Sequence, residues 1–72
     1  MVITVKAHGM LREHIGASVL VQNADTVGEA IAHLSLREDV GLAILVNGML
    51  AHWNTQLHDG DIIQLIPQIS GG

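Results

Sequence analysis

Seventy-two residues suffice for one small domain with a single core and a shallow surface, which disfavours a stand-alone enzyme with a deep cleft. The chain is 49% apolar with one aromatic residue and no cysteine, which excludes disulfides, thiolate zinc sites, thiol nucleophiles and a base-stacking platform. Three Lys/Arg against seven Asp/Glu leave a net charge of -4, which disfavours nucleic-acid backbone and points to another protein as partner.

Met1 to His8 reads as a strand, because Val2, Ile3, Thr4 and Val5 are mostly β-branched and Lys6 alternates with Val5 and Ala7. Ile3, Val5 and Ala7 face one side; Val2, Thr4 and Lys6 face the other. A glycine-bounded connection to Gly16 follows, with Leu11 to His14 able to form one helical turn. Ala17 to Gln22 is a second strand, ended by Asn23, Ala24 and Asp25.

Thr26 and Glu29 have the spacing of a capping box, in which the Thr26 hydroxyl accepts from the N3 amide and the Glu29 carboxylate reaches back to the Thr26 amide. Val27, Ala30, Ile31 and Leu34 then recur on a 3.6-residue period, so a helix is predicted from Thr26 to near Leu36. Gly28 in its first turn costs about 1 kcal/mol relative to Ala.

Leu42 to Val46 is a continuous apolar strand, the pattern of burial on both faces. It is also the longest unbroken apolar run, far short of the ~20 residues of a membrane helix. Asn47-Gly48 is a two-residue type I′ hairpin signal, and Met49 to Trp53 is its partner strand. Asp59-Gly60-Asp61 is a second turn, and Ile62 to Pro67 is the last strand. Ile63, Leu65 and Pro67 share one face; Ile62, Gln64 and Ile66 share the other.

The order β-β-α-β-β-β requires the one helix to cover one face of a mixed sheet, an α+β fold. Residues 1–67 form that domain and residues 68–72 a flexible tail. The sequence closes on Gly71-Gly72, a pair with a chance frequency of roughly 0.5%. Two residues without Cβ let an extended tail thread a narrow channel, and Pro67 stiffens its root.

Gly9-Met10-Leu11-Arg12-Glu13 with Gly16, Thr26-Val27-Gly28-Glu29, Val46-Asn47-Gly48, Leu57-His58-Asp59-Gly60-Asp61 and Pro67 through Ser70-Gly71-Gly72 together resemble the MoaD/ThiS-type sulfur carriers. The Leu-Arg-Glu stretch is most similar to the molybdopterin synthase small subunit. The resemblance implies a ubiquitin-like β-grasp with parallel first and last strands. It implies that an E1-like adenylyltransferase uses ATP to activate the Gly72 carboxylate, and that a sulfur donor enzyme converts it to a thiocarboxylate. The tail then enters the molybdopterin synthase large subunit and donates sulfur to a pterin precursor. The carrier is no enzyme and binds no cofactor. Thiamine synthesis, tRNA thiolation or another sulfur pathway, and conjugation to proteins through Gly72, are the alternatives.

Gly72 is thus the expected attachment point and Gly71 the threading residue. Ile62, Ile66, Pro67, Ile69 and Ser70 are the expected partner-binding residues, with Ile62 and Ile66 on the face away from the helix, where Ile69 and also Met49 could complete a contiguous patch near the tail. The histidines at 8, 14, 33, 52 and 58 lack the i, i+4 spacing of a helical metal pair, so no metal is expected. Asp59-Gly60-Asp61 lacks the remaining ligands of a calcium loop. Arg12 and Glu13 read as a solvated pair, and Lys6 is the only lysine, hence the one internal acceptor for self-conjugation. No signal peptide is recognisable and the cytoplasm is the expected location.

Overall fold

A computed structural model describes residues 1–36 and 41–68. The elements are β1 (Val2–Ala7), α1 (Leu11–Ile15), β2 (Ser18–Gln22), α2 (Val27–Ala32), β3 (Leu42–Val46), β4 (Met49–Leu50) and β5 (Ile62–Pro67). The five strands form one mixed sheet in the order β2-β1-β5-β3-β4. β1 pairs antiparallel with β2 and parallel with β5, while β3 is antiparallel to both β5 and β4. This is the ubiquitin-like β-grasp, and the parallel terminal strands implied by the resemblance lie at its centre.

Alternation along the strands builds the core on one face. Ile3, Val5, Ala7, Val21, Ile44, Ile63 and Leu65 are buried against Val27, Ala30 and Ile31 of α2. The faces expected for β1 and β5 are both observed. β3 departs from expectation. Ile44 alone is buried, and Leu42, Ala43, Leu45 and Val46 are half-buried. The reason is that α2 covers only one side of the sheet, so every second residue of this apolar run faces outward.

α2 is shorter than its periodicity suggests. The chain leaves the helix in a Schellman-type turn, with the Leu36 N–H bonded to the Ile31 carbonyl at 3.4 Å and the Ser35 N–H to the Ala32 carbonyl at 3.0 Å. Ser35 takes the left-handed position at φ 60°. Leu34 and Leu36 still pack on the core, so the apolar stripe holds although the helix proper ends at Ala32. At the other end the Thr26 hydroxyl accepts from the Glu29 N–H at 3.2 Å. The Glu29 carboxylate meets the Thr26 hydroxyl at 3.3 Å rather than the Thr26 amide.

The next two amides of the helix are served by a loop. The Val27 N–H donates to the Thr55 carbonyl at 3.0 Å and the Gly28 N–H to the Trp53 carbonyl at 2.8 Å. That loop also explains why β4 has two residues instead of five. After Leu50 the chain turns away from the sheet to cap α2. The hairpin itself is as expected, with Asn47 at φ 51° and Gly48 at φ 84°.

One polar network pins the hairpin to the start of β5. Asn47 Oδ1 accepts from the Ile62 N–H at 3.0 Å, and Asn47 Nδ2 donates to Asp61 Oδ1 at 2.9 Å. Asp61 Oδ2 accepts from the His58 N–H at 2.8 Å, while Asp59 Oδ1 accepts from the Val2 N–H at 2.7 Å. The Asp59-Gly60-Asp61 carboxylates therefore serve the turn, as its sequence suggested.

The His58 N–H, then the Asn47 amide, hold the Asp61 carboxyl below its ordinary pKa. A lowered folded value means that the stabilisation is complete above the unfolded pKa of about 3.9 and is lost as pH falls through the folded value. Asp61→Asn is expected to lose about 1–2 kcal/mol at neutral pH, with the gap to wild type closing in acid. Urea denaturation across that range checks it, and a pH-independent gap would contradict it.

Candidate functional site

The end of β5 is where a tail must leave the domain. Pro67 pairs with Leu42 of β3 and faces the helix side, whereas Ile66 pairs with Ala43 and faces the open side. Gln68 continues the ladder by one bond, its N–H donating to the Gly41 carbonyl at 3.0 Å. Beneath Pro67 lies Gly9, at φ +60°, where an added Cβ would stand 3.4 Å from the proline Cγ. The root of the tail is thus held in the middle of the sheet, between the end of β1 and the start of β3. A shallow depression lined by Gly9, Arg12, Glu13 and Ala17 lies next to this corner.

The open face of the sheet spreads out from the same strand. Register places Ile62, Gln64 and Ile66 along its centre, with Thr4 and Lys6 on one side and Ala43 and Leu45 on the other. Ile62 and Ile66 are separated by Gln64, so they do not form a patch by themselves. Leu45, opposite Gln64, is the diagonal neighbour of both and joins them. Leu50, opposite Leu45 and 79% exposed, extends the apolar surface to the edge. Leu20, opposite Thr4 and 67% exposed, extends it to the other edge. The Gln64 side chain is steadied by His8, whose Nε2 lies 3.1 Å from Gln64 Oε1.

Of the expected partner residues, Ile62 and Ile66 share this face, and Pro67 lies on the opposite one. Met49 does not join them, because it pairs with Val46, which faces the helix side with Ile63. Ile69, Ser70, Gly71 and Gly72 lie outside the described residues. Sequence reasoning missed Leu45, Leu50 and Leu20. The hairpin could have revealed the first two, since a two-residue turn pairs Leu45 with Leu50 and sets both on one side. Among the described residues no three His, Cys, Asp or Glu side chains converge on a point that could hold a metal. Among them, too, no helix is long and apolar enough to cross a membrane.

A family model described as the ThiS family matches residues 5–72. The crystal structure of SAMP1 from Haloferax volcanii is similar over the whole of both chains, with 29% identity and a TM-score of 0.80. A chain of the complex of subunits 1 and 2 of the molybdopterin-converting factor from Helicobacter pylori is 31% identical, again over the whole of both chains, with a TM-score of 0.70. A chain of the BexX/CysO complex of Amycolatopsis orientalis, at 24% identity, shares the fold, with a TM-score of 0.76 over 97% of this chain and 99% of that one. No curated protein matches the sequence.

Gly9→Ala is expected to destabilise the domain by about 1–2 kcal/mol, since a residue with a Cβ must then hold φ +60° while its methyl group stands in contact with Pro67. Denaturation reads the loss, and the amide resonance of Gln68 should shift with it. An unchanged stability would contradict the left-handed backbone at Gly9.

Proposed function

The chain belongs to the ThiS family, and on that premise we propose that it is a sulfur carrier loaded at the Gly72 carboxylate. The observation that carries this reading is the extent of the family match, which runs from β1 through Gly71-Gly72. A carboxylate is a poor electrophile until it is activated. An E1-like adenylyltransferase uses ATP to make the Gly72 acyl-adenylate, and a sulfur donor enzyme replaces the adenylate to leave a thiocarboxylate. Gly71 and Gly72, lacking Cβ, can follow a narrow channel to the nucleotide.

The chain itself supplies no catalytic base. Its role is to hold the tail at a fixed root and to offer a docking surface made of Ile62, Ile66 and the residues around Pro67, continued by Ile69 and Ser70. The absence of cysteine suits that role, because no internal thiol can capture the sulfur. The sulfur goes to molybdopterin synthesis in this reading, with the large synthase subunit as acceptor enzyme and the cytoplasm as location. The 31% identity to a chain of the Helicobacter pylori molybdopterin-converting factor complex supports that pathway. A second reading, conjugation of Gly72 to protein lysines, draws support from the small archaeal modifier protein 1 of Haloferax volcanii, 26% identical over 94% of this chain and 98% of that one, with a TM-score of 0.81.

Incubation with ATP, the adenylating enzyme and a sulfur donor is expected to raise the intact mass by the difference between sulfur and oxygen. Deleting Gly72 should abolish that gain and leave the domain folded. High-mass conjugates in lysate, without thiocarboxylate, would favour the modifier reading. No change in either assay would remove both.

A further inference from the structure

The chain is acidic, yet its open sheet face is not. Of the acidic residues whose structure is described, Glu13 and Glu29 lie on the helices and Asp25, Asp59 and Asp61 in loops. None occupies an open-face position of a strand. Among the described residues the one full positive charge at an open-face strand position is Lys6, placed by register between Ser18 of β2 and Gln64 of β5. It is exposed, and among the described residues it makes no ion pair. Ser18 and Gln64 flank it directly and Ile62, Ile66 and Leu20 lie diagonally, so a cover laid over those apolar residues also covers the ammonium. Beside it is His8, just past the end of β1, whose Nε2 is engaged with Gln64.

We propose that Lys6 selects the partner at this face: the adenylating enzyme covers the open sheet with an apolar surface that sets one carboxylate over Lys6. The inference rests on the carrier reading above. Its physical basis is desolvation. A surface that buries Ile62, Ile66 and Leu45 also strips water from the ammonium among them, and an unpaired buried charge is strongly unfavourable. Among the described residues no carboxylate of the carrier occupies an open-face strand position, and the proposal assigns the counter-charge to the partner. A matched pair at the centre of an apolar contact also fixes which way the tail enters.

The test measures pyrophosphate release by the cognate ATP-dependent adenylating enzyme as carrier concentration is varied, with the fold of each variant checked by denaturation. Lys6→Glu is expected to raise the KM for the carrier about 30-fold or more with kcat little changed, and Lys6→Met about 10-fold. Lys6→Arg should stay near wild type. A partner that is merely apolar would bind Lys6→Met as well as wild type or better, and that result would overturn the proposal while leaving the carrier reading intact. If the wild-type chain releases no pyrophosphate, the carrier reading itself fails, and the proposal with it.

Discussion

The parallel ladder between β1 and β5 is the constraint on which the remaining structure depends. It joins residues 4–7 to residues 62–65, so nearly the whole chain is the crossover between two neighbours. Each side of the pair then recruits an antiparallel partner, β2 beside β1 and β3 beside β5. Ile3, Val5, Ile63 and Leu65 meet on one side of this pair and are all but excluded from water. α2 has no other surface wide enough to receive Val27, Ala30 and Ile31. The same ladder delivers Pro67 to the middle of one end of the sheet, which is why a tail leaving there is flanked by structure on both sides.

The two sides of the sheet have different duties. The helix side is a closed apolar core with no buried polar side chain among the described residues. The other side keeps apolar residues half or fully exposed, from Leu20 at one edge to Leu50 at the other. Single exposed apolar residues are ordinary on any protein, but here they share one plane with the strand that leads into the tail. A partner gripping that plane also aims the tail. The proposed carrier role and this surface point the same way, with recognition placed beside the strand that leads into the tail.

Much of this was legible in the residues because its signals are local. The parity of β1 and β5, the stripe on α2 and the Asn47-Gly48 turn all follow from periods of two or 3.6 residues and from turn chemistry. What escaped depends on contacts distant in sequence. Leu45 sits in an unbroken apolar run, and nothing within Leu42 to Val46 reveals that only one side is covered. Trp53 and Thr55 read as strand and loop, whereas their carbonyls are committed to α2, and that commitment cuts β4 short. Met49 was assigned to the wrong side for a related reason, since its facing depends on the pairing with Val46. The tail is the converse case: its chemistry is suggested by two glycines alone, without help from the fold.

The carbonyls that receive the first donors of α2 bear on how the molecule assembles. Six helical residues are too few to persist alone in water. The Val27 and Gly28 amides find their acceptors only when the segment after β4 has swung back to them. Helix and segment are therefore mutually dependent and must consolidate as one cooperative unit. Loosening the loop around residues 53–55 is therefore expected to fray the first turn of α2 with it, although the two lie far apart along the chain.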